Sequence, residues 1–593
     1  MKILLSDGSI VECPADKKVE VLRHSAAHIL AQAILRLYPQ ADFAYGPANE
    51  NGFYYDVDLG DAKLGENDLE TIEAEMRKIC KENLPFKTFS MSKEEARKFL
   101  EERKQKYKLE HLDDLPDDAV ISFYQQGEYT DMCVGPHLTY TKGLKAFKLT
   151  QVSGAYWKAD ARNKMLTRIS GTAFASNEEL EHHLRMIEEA AKRDHRKIGK
   201  EMGLFMLSEV GPGFPFFMDR GVTMKNELIS YWREIHKRDN YLEISTPIIL
   251  NRHLWETSGH WFHYRDTMYT TLIDDEDYAI KPMNCPGGMM VYKSRQHSFK
   301  EFPIRCGELG IVHRHELKGT LHGLFRVRTF TQDDAHIFMR KDQIKNEIQG
   351  VIKLIDEVYS KFGFKYSLEL STRPEDSMGS DEDWEEATNG LRDALESLGL
   401  EYTVNEGDGA FYGPKIDFHL EDSIGRTWQC GTIQSDFQLP LNFELEYIDE
   451  NNKPQRPITL HRVVFGSLER FLGILIEHYA GKFPTWLAPV QVKVLPVSEK
   501  NIDYSMEVYE KLLGAKIRCE IDKRDEKIGY KIREAQMVDR VPYMLVIGAK
   551  EAENGTITVR NRDTGESTEM MLDDFISKVR EEIDLRISDI VTK

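Results

Sequence analysis

The sequence predicts a multidomain protein assembled from α+β and α/β parts, and three observations lead there. At 593 residues the chain is too long for one hydrophobic core, so several domains of about 100–200 residues each are expected. An aromatic-rich, strand-favouring stretch, Gly52-Phe53-Tyr54-Tyr55-Asp56-Val57, follows an apolar-periodic helix beginning at Arg23. After Pro489, strand-like runs at 492–497, 516–521 and 543–547 alternate with helical segments, the pattern of an α/β domain.

Taken in order, residues 1–175 read as one α+β domain. Residues 176–200 have no Gly or Pro before Gly199 and carry Leu180, Leu184, Ile187, Ala190 and Ala191 at helical spacing, which predicts one connecting helix. Its end, Lys192 to Lys200, holds five fixed positive charges against one negative. Such a run is either a solvated face or a nucleic-acid contact. Residues 201–486 mix helices with many short strands, and 487–593 form the terminal α/β domain. There is no internal repeat, Walker loop or GxGxxG cradle. Ser90-Met91-Ser92-Lys93 looks like the lysine loop of Rossmann-type synthetases but lacks its leading lysine and a His-Ile-Gly-His partner, so it is read as coincidence.

Composition narrows the class. Hydrophobic residues at 41% and charged residues at 30% fit a folded, water-soluble chain. The opening residues break at Ser6-Asp7-Gly8 before any apolar core develops, so no signal peptide is expected. No apolar run approaches the ~20 residues that cross a bilayer, and a cytoplasmic protein without membrane association is expected. Seven cysteines, sparse and odd in number, argue against a disulfide framework. The net charge of −20 does not exclude RNA, because binding depends on where the positive charge lies.

Several residue sets carry chemistry. Cys285, His336 and His461 lie in three distant segments. Three protein ligands with an open position are the pattern of a substrate-binding zinc, although scattered Cys and His are also ordinary core residues. Arg314-x-Glu316, read as strand, can clamp a phosphate with its guanidinium and hold base or ribose groups with its carboxylate. Gly466-x-x-x-Arg470, at a strand-to-helix junction, offers a second phosphate arginine. His24 and His28 stand one helical turn apart, and Cys133-x-x-x-His137 supplies a second pair. Together these make either a closed metal quartet, a reactive pocket or a self-satisfied buried cluster.

The strings from Arg305 to Glu316, Phe325-Arg326-Val327-Arg328-Thr329-Phe330 and Gly466-Ser467-Leu468-Glu469-Arg470-Phe471 resemble motifs 2 and 3 of class II aminoacyl-tRNA synthetases. Residues 231–249, with Pro247, look like motif 1. Asn284-Cys285-Pro286-Gly287, Thr331-Gln332-Asp333-Asp334-Ala335-His336-Ile337-Phe338 and Gly413-Pro414-Lys415-Ile416 narrow the resemblance to bacterial threonyl-tRNA synthetases, over nearly the whole chain.

That resemblance implies a class II antiparallel sheet core, an α+β N-terminal editing domain and a C-terminal α/β anticodon-binding domain. It implies an ATP-dependent threonine–tRNA ligase that charges tRNA(Thr) and hydrolyses Ser-tRNA(Thr). One Zn²⁺ per subunit, on Cys285, His336 and His461, would take the amino and hydroxyl groups of L-threonine. Asp334 would accept the ammonium, with Gln332, Tyr412 and Gln434 lining the pocket. Arg314, Glu316, Arg326, Phe330 and Arg470 would bind ATP with Mg²⁺, and His260 and Lys415 would serve transfer to the ribose.

In the editing site, His24, Lys108 and Asp131 would position and deprotonate water, and His28, Cys133 and His137 would shape a pocket read as metal-free, although alanyl-type editing domains bind metal there. Lys192, Arg193, Arg196 and Lys197 would contact the acceptor stem, and Arg540, Glu551 and Arg560 the anticodon. Asp525 stands where the family often has asparagine, which puts that contact in doubt. The ubiquitin-like domain that commonly opens family members is expected to be absent or vestigial. Motif 1 implies a homodimer. Two other readings, an RNA-binding regulator on a decayed synthetase fold and a stand-alone editing hydrolase, fit less well, since the arginines and zinc ligands are all present.

Overall fold

Apolar residues dominate helix Lys18–Leu37 and draw it into the interior: between Val21 and Ile34 every residue except His24 is buried, the polar Arg23, Ser25, His28 and Gln32 included. It starts at Lys18, ahead of the expected Arg23, because the turn Ala15–Lys17 runs directly into it. Around it lie strands Ala146–Tyr156, Met165–Phe174, Gly52–Asp58 and Asp42–Phe43, hydrogen-bonded in that order, with Ala48–Asn49 also on Gly52–Asp58. A second sheet joins Phe86–Ser92, Val120–Gln126 and Tyr129–Met132. The first residues form a hairpin, Lys2–Leu4 with Ile10–Glu12, whose Leu4 pairs with His137.

This computed structural model describes residues 1–49, 52–160 and 162–588. The chain divides into two units, Met1–Glu188 and the part from Glu189 onward. The expected single connecting helix is two, Asn177–Arg193 and His195–Glu201. Asp194 between them is non-helical, and its carboxylate caps the second helix by accepting from the Arg196 N–H. The acidic residue inside the basic run is the stop signal.

The second unit centres on an eight-stranded sheet. In chain order its strands are β1 (Leu242–Glu243), β2 (Ile304–His313), β3 (Thr329–Met339), β4 (Lys365–Ser371), β5 (Thr403–Asn405), β6 (Lys415–Glu421), β7 (Thr427–Asp436) and β8 (Ile458–Ser467). In space they run β1-β2-β3-β8-β7-β6-β4-β5, antiparallel except at the two edge strands. One face carries the core, where helices Asp219–Arg238, Ile344–Lys361 and α1 (Leu468–His478) bury Trp232, Ile355, Phe418 and Phe471. The antiparallel core expected from the motifs is thus present. Arg314-x-Glu316 is not on a strand, however: β2 ends at His313, and the chain leaves the ladder to make the loop that returns at Arg328.

The terminal domain has strands Cys519–Ile521, Val492–Pro496, Tyr543–Ile547, Thr556–Asn561 and Ser567–Met571 in that spatial order. The first three are mutually parallel and the last two are added antiparallel, a hairpin that the sequence pattern did not reveal. No helix among the described residues is long and apolar enough to cross a membrane.

Candidate active site

Alternation along β3 places Gln332, Asp334 and His336 on one face of the sheet. Pairing then sets His336 opposite His461 of β8, and His461 opposite Gln434 of β7. Cys285 enters from the first turn of helix Cys285–Lys293, so one donor atom each from Cys285, His336 and His461 fall within 4.8 Å of one another. Cys285 and His461 border a cavity of about 240 Å³, also lined by Arg314, Gln332, Asp334, Tyr412 and Gln434.

Whether the trio fits a metal ion can be read from its hydrogen bonds. His336 is fully buried, yet neither ring nitrogen has a hydrogen-bond partner among the described residues. A buried imidazole left this way loses its hydration with nothing in return. His461 Nε2 donates to Asp436 Oδ2 at 2.7 Å, which fixes the tautomer and leaves the Nδ1 lone pair available. The donor set fits zinc. Burial pushes Asp334 up to about 7, partly opposed by His461; a cation beside it would restore its charge.

A second hollow, of about 430 Å³, shares Arg314 and Gln332 with the first and adds Glu316, Phe325, Arg326, Phe330, Gly466 and Arg470. The Arg314 guanidinium lies 5.2 Å from the Phe330 ring centre, and its Nε donates to the Pro282 carbonyl. Glu316 pairs with Arg326 at 2.9 Å. Arg470 Nε is buried without a hydrogen-bond partner among the described residues. Two cavities joined at an arginine, one with an open donor set and one with further arginines, can hold an amino acid and a polyphosphate nucleotide in contact.

His260 and Lys415 border this centre without lining either hollow. His260 Nε2 lies 3.0 Å from Met283 Sδ, and burial drives its pKa down to about 3, so the ring is neutral. The Lys415 ammonium is held by Asp417 at 2.8 Å and Asp408 at 3.0 Å. Sequence reasoning missed Asp436, which stands two residues beyond Gln434 on the same strand face and was findable by alternation. It also missed Asn284, whose amide donates to Asp334 at 3.4 Å.

In the first unit, His24, His28, Cys133 and His137 bring donor atoms within 4.8 Å of each other beside a hollow of about 550 Å³. Here Cys133 Sγ lies 3.3 Å from His24 Nε2 and 3.3 Å from His137 Nε2, while His28 Nδ1 is buried with no hydrogen-bond partner among the described residues and its Nε2 lies 3.7 Å from Asp131 Oδ2. Burial pushes the Cys133 thiol up to about 12 and His28 down to about 3, so both are neutral. Against burial, which raises it, the Lys108 ammonium holds Asp131 below its ordinary range, with Nζ 2.5 Å from Oδ1. Tyr55 and Tyr129, not singled out as site residues in the sequence, donate to Asp131 Oδ2 at 2.5 and 3.1 Å.

The basic run is less free than its sequence suggests. Arg193 donates to Ser423 Oγ at 2.8 Å and to the His478 carbonyl at 3.1 Å, and is a brace within the second unit. Lys192 pairs with Glu189 and Arg196 with Asp194, while Lys197 is exposed. Arg540 pairs with Glu201 at 2.9 Å, and Glu551 caps its own helix through the Gly548 N–H. Arg560 donates to the Gly565 carbonyl, and Asp525 is exposed.

An antiparallel core whose catalytic-size hollows meet at Arg314 defines a class II aminoacyl-tRNA synthetase, and comparison agrees. Residues 269–479 match the tRNA synthetase class II core domain (G, H, P, S and T), 491–582 an anticodon binding domain, and 121–170 the threonyl and alanyl tRNA synthetase second additional domain. His24 and His28 lie outside that last match and are brought to it by the fold. The chain is 61% identical over 569 residues to a threonine–tRNA ligase of Clostridioides difficile, covering 96% of this chain and 89% of the relative. It is 60% identical to one of Clostridium novyi, covering 95% and 88%. A solved RNA binding domain of threonyl-tRNA synthetase from Cryptosporidium parvum superposes with a TM-score of 0.64 at 40% identity, over 65% of this chain and 98% of that one. The chain belongs to the threonine–tRNA ligase family.

Proposed function

We propose that the protein activates L-threonine with ATP to threonyl-adenylate, transfers it to the 3′ end of tRNA(Thr), and hydrolyses mischarged Ser-tRNA(Thr) in the N-terminal pocket. The observation that carries this reading is His336, buried with both nitrogens unpartnered beside Cys285 and His461.

Cys285, His336 and His461 would hold one Zn²⁺ per subunit, which when bound would supply Lewis acidity toward the amino and hydroxyl groups of threonine. Valine is nearly isosteric but lacks the hydroxyl, so it is rejected strongly; serine keeps both groups and loses only a methyl, worth about 1–3 kcal/mol. Asp334 accepts from the substrate ammonium, and Gln332, Tyr412 and Gln434 fill the rest of the wall. Tyr412 donates to Gln434 Oε1, which orients that amide. Arg314 binds the threonine carboxylate and the α-phosphate, offsetting the negative charge that builds up in the in-line attack. Glu316 steadies Arg326. Arg326 and Arg470 hold the outer phosphates and Phe330 stacks on adenine, with Mg²⁺ accompanying ATP. His260, as a neutral hydrogen-bonding ring, and Lys415 serve the transfer step.

Serine admitted by the first site is removed in the second. There His24, Lys108 and Asp131 position water and pass its proton, and His28, Cys133 and His137 shape the pocket. The mutual Cys133–histidine contacts support a metal-free pocket. Lys192, Arg196 and Lys197 would follow the acceptor stem, with Arg193 bracing them, and Arg540, Glu551 and Arg560 would serve anticodon binding. Leu242 and Ile249, 58% and 46% exposed at the motif 1 edge, support a homodimer.

The test is a screen of all twenty amino acids for ATP–pyrophosphate exchange, with zinc measured on the same sample. Exchange is expected with threonine, weakly with serine and not with valine, at one zinc per chain. Preference for an amino acid lacking a β-hydroxyl, or full activity without zinc, would overturn the reading.

A further inference from the structure

The ladder between β3 and β8 is broken at one place. Gln332 pairs with Ser467 and Asp334 with Val463, so Asp333 alone faces the three residues Val464, Phe465 and Gly466. Those residues have no regular partner for their N–H groups on β3. All three donate instead to the Asp333 carboxylate: Val464 N and Phe465 N to Oδ2 at 3.0 Å each, and Gly466 N to Oδ1 at 2.9 Å. The carboxylate is fully buried on the face of β3 opposite Gln332 and Asp334.

The bulge aims the next turn of chain. Gly466 has φ +79°, and a Cβ there would stand 2.7 Å from the Cys430 carbonyl oxygen, so the chain turns tightly against β7. Ser467 then caps α1, accepting from the Arg470 N–H at 3.1 Å, and α1 carries Arg470 into the larger hollow. Glu469 closes the junction from the other side, accepting from the Thr331 N–H at 2.7 Å. On its other edge β3 is paired with β2 along its length, Ile304 to His313, so Gln332 and Asp334 are held without Asp333. The turn that leads to Arg470 lies beyond the regular ladder, and the Asp333 and Glu469 carboxylates tie it to β3.

We propose that Asp333 is a positioning residue for ATP: it replaces the missing ladder bonds of the bulge and thereby sets Arg470 against the polyphosphate, while leaving the threonine wall to β2. This rests on the reading of the larger hollow as the ATP site, which wild-type exchange activity tests separately. The experiment measures KM for ATP and for threonine in pyrophosphate exchange for Asp333→Asn, with zinc content and melting temperature alongside. The amide is isosteric but turns N–H donors toward at least one backbone N–H. KM for ATP is expected to rise about 10- to 100-fold, the scale of an ångström-size misplacement. Threonine KM should change by less than about threefold and zinc should stay bound, unlike a general loss of packing.

Gly466→Ala displaces the same turn from the opposite side and should give the same ATP-selective signature, which keeps the proposal testable if the Asp333 variant does not fold. An unchanged ATP KM, or equal rises for both substrates, in a variant that folds and binds zinc would overturn it.

Discussion

His336 sits in the interior with two ring nitrogens that have no hydrogen-bond partner among the described residues, and Cys285 and His461 are placed to share a ligand with it. An unmet bonding demand, more than the residue types alone, therefore points to a metal. Cys285→Ala or His461→Ala should abolish threonine-dependent exchange and bound zinc together, checked by exchange assay and metal analysis. Asp436→Asn keeps all three ligands but weakens the partner that orients His461; zinc affinity should fall about 10- to 100-fold, measured by chelator competition. The N-terminal quartet is a partial contrast, since its thiol contacts the rings of His24 and His137 while His28 Nδ1 is left without a hydrogen bond among the described residues. Changing His24 and His28 together to alanine should leave charging of tRNA near normal while Ser-tRNA accumulates. Unchanged serine release in a deacylation assay would make the pair structural. The ligand types were legible in the sequence because cysteine and histidine are rare and their flanking strings are unusual. Asp131 and Lys108 were legible too, through the resemblance, but the Tyr55 and Tyr129 hydroxyls that donate to Asp131 were not singled out, because nothing in the local sequence shows that Tyr55, 76 residues away, reaches that carboxylate.

At the scale of elements, strand alternation does most of the assembling. β3, β7 and β8 each present residues two apart, and their register sets Gln434, His461 and His336 in a row across the sheet. β6 joins this row where Gly413 approaches Ser435: a Cβ there would fall 1.9 Å from its carbonyl oxygen. Gly413→Ala should push the strand start away and take Tyr412 off Gln434, raising KM for threonine about tenfold or more, as expected when a positioning contact is lost; an unchanged KM would show that the wall does not need this close approach. The helix break at Asp194 was written in the sequence as an acid within a basic run, but helical periodicity on both sides concealed it. The Arg314–Glu316 segment was read as strand for a similar reason. Local pattern cannot show that the ladder ends at His313, since that depends on where the neighbouring strand turns back.

For the whole molecule, burial of neutral histidines makes a statement about acid stability. Burial lowers His260 to about 3, His236 to about 2, with Arg462 beside it, and His478 to about 4. Their folded values lie below the unfolded value, so between about pH 4 and 6.5 the unfolded chain binds more protons and stability rises with pH. Going down from pH 6.5, each such histidine costs about 1.4 kcal/mol per unit. Melting temperature should fall steeply from pH 6.5 to 5 in a calorimetric series, and a flat profile would mean that these rings are charged in the folded state. The two units house separate chemistries, so losses at the central trio and at His24 and His28 should be independent of each other. By itself, the sequence determined the family and the antiparallel core and pointed to the candidate metal and arginine groups, because those depend on residue types in long, ordered strings. The tertiary structure alone decided which groups are left unsatisfied, where the ladders end and which carboxylates repair them. Hydrogen-bond satisfaction inside a protein is a property of neighbours distant in the chain, and no local pattern records it.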